Sequence, residues 1–251
     1  MIKNNIGISI AVNTGNNNLD RFNDLVNLGF KHIEFYNKIV RMRFNDIKIL
    51  KSIVEGKDMT FSFHSMAQDL FCEDKDIANQ EYYTLKGEIK LASLIGCSRV
   101  IFHINKKSEL SVEEIATLNG LVDYSSNLGV TLVQENNQSG IMSGEYLFQI
   151  GEQVPSLKFC LDIGHLNIAL NKGDVTDKKE FIEKIASKIV QLHINYNNGQ
   201  NDEHKELDSL SANYFKQIIE IIGKRDVTYV IETKNLEQAK KTLRILNGLL
   251  T

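Results

Sequence analysis

The sequence has one proline, no tryptophan and three cysteines. The number of cysteines is odd, and Cys72, Cys97 and Cys160 are too widely spaced to form a Cys-x-x-Cys pair. This argues against a disulfide framework or a cysteine zinc site. Apart from Pro155 there is no tract rich in Ser, Gly or Pro that would mark an interdomain linker. These absences favour one domain, residues 1–251, in a reducing compartment, and we expect a cytoplasmic protein.

Long hydrophobic runs are also missing. The chain has no run of about 18 apolar residues, and its N-terminus lacks a basic region followed by an apolar stretch, so we expect neither a membrane span nor a signal peptide. Lys and Arg total 29 against 32 Asp and Glu, a formal net charge of -3. This balance argues against a protein built to coat nucleic acid or an acidic membrane.

The 251 residues alternate regularly between short apolar segments and segments with helical spacing. We predict strands at 6–12, 32–36, 59–64, 99–103, 130–135, 157–162, 189–194 and 227–232. We predict helices at 19–28, 45–55, 79–95, 112–128, 144–153, 178–187, 212–222 and 236–250. Eight βα pairs in a chain of this length predict a single (β/α)8 TIM barrel. An open doubly wound sheet is the alternative, but no G-x-G-x-x-G follows the first strand.

Most of the predicted strands stop at a His, Asp or Glu. In a parallel barrel these ends share one mouth, so we expect the side chains to converge there. The expected set is His64, His103, Glu135, Asp162, His165, His193 and Glu232, with Asp202 and His204 on the loop after the seventh strand. Such nitrogen and oxygen donors suit a divalent cation, zinc or manganese first, with magnesium, cobalt and iron as alternatives. A lone histidine at a strand end is usually structural, but five of the six fall at this end.

The segments that carry these donors resemble, in their order, those of the xylose isomerase-like TIM barrels. The segments are Phe63-His64-Ser65, Val100-Ile101-Phe102-His103, Gln134-Glu135-Asn136, Leu161-Asp162-Ile163-Gly164-His165, Leu192-His193-Ile194-Asn195, Asp202-Glu203-His204 and Ile231-Glu232-Thr233. The resemblance covers essentially the whole chain. That superfamily holds sugar and sugar-phosphate isomerases and epimerases, and the endonuclease IV class of abasic-site (AP) nucleases.

Similarity to the sugar epimerases implies one metal, bound by Glu135, Asp162, His193 and Glu232. It implies that His165 contacts substrate and that the two glutamates are the acid/base pair that moves a proton through an enediolate. Those enzymes carry an arginine a few residues beyond the strand-seven histidine, and residues 196–200 contain none.

Two further residues are therefore expected to bind the sugar or sugar phosphate. They are Glu34, at the end of the second strand, and Lys234. The partner expected from this resemblance is a small molecule rather than nucleic acid or membrane, and a homo-oligomer is compatible with the sequence.

Similarity to endonuclease IV implies more metal, because all nine donors match the positions that hold its three zinc ions. The implied activity is then phosphodiester cleavage. Three departures weigh against it: Ala67 replaces an aromatic residue, Ile104-Asn105 replaces a Pro-Gly pair, and residues 205–210 lack the usual glycines. We therefore favour the isomerase or epimerase, with the zinc phosphodiesterase as the alternative. A non-catalytic barrel that binds metal or a polyol is the third hypothesis.

Overall fold

The computed structural model describes residues 5–11, 24–36, 48, 51–52, 55, 59–106, 108–223 and 225–250. Eight parallel strands form a closed barrel in sequence order, in which β8 pairs with β1. The predicted (β/α)8 barrel is confirmed. The assignment of the whole chain to one domain stays a prediction.

The strands lie within one residue of their predicted ends. They are β1 Asn5–Ala11, β2 His32–Tyr36, β3 Thr60–His64, β4 Arg99–Phe102, β5 Thr131–Glu135, β6 Lys158–Asp162, β7 Ile189–Ile194 and β8 Thr228–Ile231. His103 and Glu232 therefore follow their strands directly rather than ending them. The apolar residues that face outward from the strands pack beneath the helices in one continuous core.

The described α-helices surround this barrel. They are α1 Lys75–Ile95, α2 Val112–Asn127, α3 Glu145–Gln153, α4 Ile163–Lys172, α5 Lys178–Ile185, α6 Ser209–Ile222 and α7 Leu236–Leu249. Short 3-10 turns occupy Ile141–Ser143 and Ala186–Lys188. Residues 24–27 are helical, whereas most of the predicted helices 19–28 and 45–55 lies outside the described residues. None of the described helices has the length and hydrophobicity to span a bilayer.

Two predicted helix starts were wrong. Helix α1 begins at Lys75 rather than residue 79, because the Asp74 carboxylate accepts the backbone N–H groups of Asp76 and Ile77. Helix α6 begins at Ser209 rather than residue 212, because Asp208 and Ser211 form a reciprocal cap. A cap of this kind satisfies backbone donors that the first turn of a helix leaves unpaired.

Helix α4 was not predicted at all. It follows β6 without a loop, since Asp162 ends the strand and its carboxylate also accepts the backbone N–H of His165 at 2.7 Å, as a helix N-cap. The helix ends at Gly173, whose φ of 82° is the left-handed conformation of a C-terminal cap. Ile163 and Gly164, the two residues between these functional side chains, lie in this first turn. His165 is thereby fixed at the barrel mouth by helical geometry.

The interior of the barrel is divided into an apolar and a polar side. Side chains alternate along each strand, so the residues two positions before the mouth donors also face inward. On β4, β5 and β6 these are Ile101, Val133 and Cys160, which form a small apolar cluster. On β2, β3 and β7 the corresponding inward positions are Glu34, Ser62 and Gln191, all fully buried.

Candidate metal centre

The structure brings all nine predicted donors to the C-terminal mouth of the barrel. A cavity of about 620 Å³ opens there. Seven of the donors line it: His64, His103, Glu135, His165, Asp202, His204 and Glu232. The other two, Asp162 and His193, are fully buried beneath its floor.

Glu135 lies at the centre of four imidazoles. Its Oε2 is 3.1 Å from Nε2 of His64, 3.1 Å from Nδ1 of His193 and 3.4 Å from Nε2 of His103. Its Oε1 is 3.3 Å from Nδ1 of His165. Burial alone would raise the pKa of this carboxyl, but the surrounding histidines, His193 and His103 first, hold it well below its usual range.

His193 joins Glu135 to the second proposed catalytic carboxylate. Its Nδ1 also lies 3.5 Å from Oε2 of Glu232, and this buried nitrogen makes no hydrogen bond of good geometry to the described residues. A buried ring nitrogen between two carboxylates fits a metal ligand better than a structural histidine. Burial raises the pKa of Glu232 to about 7, with the neighbouring charge of Glu135 adding to the effect and that of His193 opposing it.

Asp162 is held rigidly by two asparagines. Asn195 donates from Nδ2 to Oδ2 of Asp162 at 2.7 Å. Asn136 brackets the Asp162 backbone, since its Oδ1 accepts the N–H at 2.7 Å and its Nδ2 donates to the carbonyl at 3.2 Å. Neither asparagine was predicted as a site residue. A signal was available, because each directly follows a strand end at the mouth.

Asp202, on the loop after β7, bridges two histidines of the mouth. Its Oδ2 lies 3.3 Å from Nε2 of His165 and 3.0 Å from Nε2 of His204. His204 has a φ of 47°, an uncommon conformation for a residue other than glycine. The Asp202 carboxylate raises the pKa of His204 to about 9. The loop thus holds a strained backbone where its imidazole faces the site.

His64 and His103 are each anchored through the ring nitrogen that faces away from Glu135. Nδ1 of His64 lies 3.0 Å from the Ser65 carbonyl, and Nδ1 of His103 lies 3.0 Å from Oδ1 of Asn137. Anchoring of this kind fixes the tautomer and leaves the other nitrogen to a ligand. Burial lowers the pKa of His103 to about 4. For His64, burial is outweighed by Glu135, and the pKa rises to about 9.

The donor set fits one or more divalent cations. Three of the groups in which every ligand atom lies within 4.8 Å of the others include Glu135. They pair it with His64 and His103, with Asp162 and His165, or with Cys160 and His193, and a fourth group joins Glu34, His64, His193 and Glu232. Mixed imidazole and carboxylate ligation suits zinc and manganese.

The three predicted substrate-binding residues lie at two different depths. His165 and Lys234 line the cavity. Glu34 is completely buried, with its carboxylate below His193 rather than in the cavity lining. Lys234 is the one lysine or arginine in the described cavity lining.

The other lysines near the described mouth are held by carboxylates. Lys106 pairs with Glu114 and Lys205 pairs with Glu203. The remaining cations that the sequence places near the mouth, Lys38, Arg41, Arg43 and Lys107, lie outside the described residues.

A curated relative aligns with part of the chain. The uncharacterized protein MJ1311 of Methanocaldococcus jannaschii is 30% identical over 153 residues, 57% of this chain and 50% of that protein. The chain thus spans about half the length of the curated relative that it matches.

Solved structures share the complete fold. A D-tagatose 3-epimerase-like protein has a TM-score of 0.76 at 19% identity, and the match covers 98% of this chain and 97% of that one. Endonuclease IV from Thermus thermophilus has a TM-score of 0.69 at 15% identity, with coverage of 98% of both chains. The IOLI protein with a bound zinc atom has a TM-score of 0.72 at 16% identity, with 98% and 96% covered. At these identities the likeness shows the fold.

A family model gives the assignment. The model described as xylose isomerase-like TIM barrel matches residues 22–249, which include every mouth donor. Solved relatives with this fold are mostly enzymes, epimerases and endonuclease IV among them. The chain belongs to the xylose isomerase-like TIM barrel family.

Proposed function

We propose that the protein is a divalent-metal-dependent isomerase or epimerase of a small sugar or sugar phosphate. The observation that supports this most directly is the meeting of Glu135 and Glu232 at one imidazole nitrogen of His193, at 3.1 and 3.5 Å. Two carboxylates that approach one centre from different strands can act on opposite faces of a bound carbon chain.

Glu135, Asp162, His193 and Glu232 would hold the metal, with zinc or manganese preferred over magnesium, cobalt or iron. Bound there, it supplies the positive charge that polarises a carbonyl and acidifies the neighbouring C–H. One of the two glutamates takes the proton from that carbon, giving an enediolate. A proton is then returned, at the adjacent carbon for an isomerase or on the opposite face of the same carbon for an epimerase.

The remaining lining residues would orient the substrate. His165 is fixed at the mouth by the start of α4, so its ring can contact a substrate hydroxyl. Lys234 would bind a phosphate or a terminal hydroxyl at the rim. One lysine and no arginine in the described lining suit a single small anion or a polyol better than a nucleic acid backbone, which is bound by several Lys and Arg side chains.

Solvent exchange tests the proposal. The protein loaded with manganese or zinc is incubated in D₂O with a panel of ketoses and their phosphates, and loss of a carbon-bound proton is followed by ¹H NMR. We expect exchange with at least one class. Glu135→Gln should abolish it, a loss of about 100-fold or more for an acid/base residue, while circular dichroism stays that of the folded protein. Exchange retained in this variant would contradict the role of Glu135.

A second candidate, an endonuclease IV-like phosphodiesterase, is favoured by one specific observation. Beyond the epimerase ligands, His64 and His103 converge on Glu135, and Asp202 joins His165 to His204. These extra donors could hold further metal. Against this candidate, Ala67 stands where the resemblance places the aromatic residue that opens the DNA duplex, and its small side chain is buried, so it cannot act as that wedge.

Metal content separates the candidates. Elemental mass spectrometry of protein purified without added metal should give about one ion per chain for the epimerase. Two or three zinc ions, with cleavage of DNA at an abasic site, would support the phosphodiesterase instead. Metal or polyol binding without turnover in either assay would support the non-catalytic barrel.

A further inference from the structure

A column of polar side chains crosses the barrel interior beneath the metal centre, where such barrels usually place apolar residues. His32 lies at its base, and its Nδ1 is 2.8 Å from Oγ1 of Thr60. Its Nε2 is 2.8 Å from Oγ of Ser62, which in turn donates to Oε2 of Glu34 at 2.9 Å. Glu34 then meets His193. All but Thr60 are completely buried.

The fold makes room for this column at a fixed position. Gly7 of β1 pairs with His32 of β2. A Cβ at Gly7 would lie 2.7 Å from both Cβ and the carbonyl oxygen of His32, and 2.8 Å from its ring. Real Cβ contacts are not that short, so glycine leaves the space that the imidazole fills. The buried imidazole is thus built into the strand register.

The hydrogen-bond donors and acceptors of the column determine which atom carries each proton. The Ser62 hydroxyl donates to Glu34, so it must accept from Nε2–H of His32, whose Nδ1 then accepts from Thr60. Burial lowers the pKa of His32 to about 3, which keeps the ring neutral. Gln191 adds a second donor to Oε2 of Glu34, at 2.6 Å. Nε2 of His193 is hydrogen-bonded to the same Oε2 at 3.4 Å and lies 3.3 Å from the other oxygen, Oε1.

We propose that Glu34 is a positioning residue that orients His193 toward the metal through Nδ1. Nδ1 is the nitrogen that faces Glu135 and Glu232. A neutral ring that binds metal there carries its proton on Nε2. Gln191 Nε2, at 2.9 Å, is a donor and cannot accept this proton, so Glu34, whose Oε2 is hydrogen-bonded to Nε2 at 3.4 Å, is the described neighbour that can accept it. A carboxylate behind a ligand histidine fixes its tautomer and raises its basicity.

This inference rests on the proposed metal centre but not on the reaction. Although Glu34 belongs to one of the four candidate ligand groups, the inference predicts that it acts on metal affinity through His193 rather than as a ligand. Glu34→Gln keeps the volume and removes the charge. By analogy with other residues that hydrogen-bond a metal-ligating histidine, this substitution should weaken metal binding by about 10- to 100-fold. Ser62→Ala is the matched control, because it removes one donor to Glu34 and leaves the Glu34–His193 contact in place.

Zinc and manganese affinities are measured by competition with a chromogenic chelator, and thermal melting of each metal-free variant reports folding. We expect a loss of about 10- to 100-fold for Glu34→Gln and near wild-type affinity for Ser62→Ala. Equal affinity of Glu34→Gln and wild type would overturn the inference alone. A wild-type protein that binds neither metal would overturn the metal centre and the inference with it.

A second measurement uses wild-type protein only, so it stands even where Glu34→Gln fails to fold. In the ¹⁵N NMR spectrum of the zinc-loaded protein, His193 should carry a slowly exchanging proton on Nε2 and show metal-shifted Nδ1. A proton on Nδ1 with zinc on Nε2 would overturn the role of Glu34.

Discussion

Replacing Gly164 by alanine should weaken metal binding, although this glycine offers no ligand atom. An added Cβ would lie 1.9 Å from Oδ1 of Asn195 and 2.9 Å from Nδ2 of Asn197. Asn195 is fully buried, and its Nδ2 holds the Asp162 carboxylate at 2.7 Å. The alanine methyl must displace the Asn195 side chain, and Asp162 then loses the hydrogen bond that aims it.

The expected loss of stability comes from the lost Asn195–Asp162 hydrogen bond and from the inserted methyl group. A buried hydrogen bond to a charged group contributes about 1.5–3 kcal/mol, and inserting a methyl into a packed site costs about 1–3 kcal/mol. Because the same displacement causes both, they overlap. We expect Gly164→Ala to lower the free energy of unfolding of the metal-free protein by about 2–4 kcal/mol. Metal affinity should fall about tenfold or more.

Urea denaturation in the presence of a chelator measures the stability loss, and competition titration measures the affinity. The matched control is Gly120→Ala on the exposed face of α2, where an added Cβ meets nothing within 4 Å. That change should stabilise the helix by about 0.5–1 kcal/mol without affecting metal binding. A Gly164→Ala protein with wild-type metal affinity would refute the claim that Asn195 orients Asp162.

Two further predictions concern the charges of the metal-free site. Asp202→Asn should lower the pKa of His204 from about 9 toward its ordinary value, and that of His165 from about 10 by less, since Asp162 also raises it; an NMR pH titration checks both. The metal-free protein should also lose stability as pH rises from about 6.5 to about 10, because folded His64 and His165 keep protons that the unfolded chain releases. The limiting slope is about 1.4 kcal/mol per pH unit for each retained proton, and melting temperatures that stay level or rise over this range would contradict the assignment.

The barrel was predictable from sequence because each strand signal is local. A run of apolar residues that ends at a polar one, as in Phe159 to Asp162, fixes both the strand and its mouth end. Closure of the sheet brings those ends together, so the donors could be predicted as one cluster without any distance information. What the cluster binds and catalyses is not a local property, because it depends on the distances between donors from different strands.

Helix α4 was missed although its signals were present. Asp162 is a good N-cap residue, Leu166, Ile168 and Ala169 are buried apolar positions in helical spacing, and Gly173 supplies the C-terminal cap. The same Asp and His also have the appearance of metal ligands in a loop. Both descriptions hold, since one carboxylate oxygen, Oδ1, accepts the helix N–H while the other, Oδ2, faces Asn195.

The depth of a polar residue in the barrel could not be predicted from sequence. Glu34 was expected to bind substrate because it lies near a strand end, but it is two residues short of the end of β2 and lies one layer below the cavity floor. His32 belongs to the same buried face one layer deeper. Only the register, Gly7 opposite His32, shows that this face has space for a second tier of polar groups.

The two tiers explain why a barrel tolerates so many buried ionisable groups. Glu135 without metal is stabilised by neighbouring imidazoles, of which His64 and His165 keep their protons at neutral pH, and an imidazole that binds metal must release its proton from the ligating nitrogen. Protons and metal therefore compete for one set of donors. Adding zinc should consequently reverse the loss of stability at high pH, since the ion replaces the protons that the metal-free site loses. A zinc-loaded protein that melts at a lower temperature at about pH 9 than the metal-free protein would contradict this exchange.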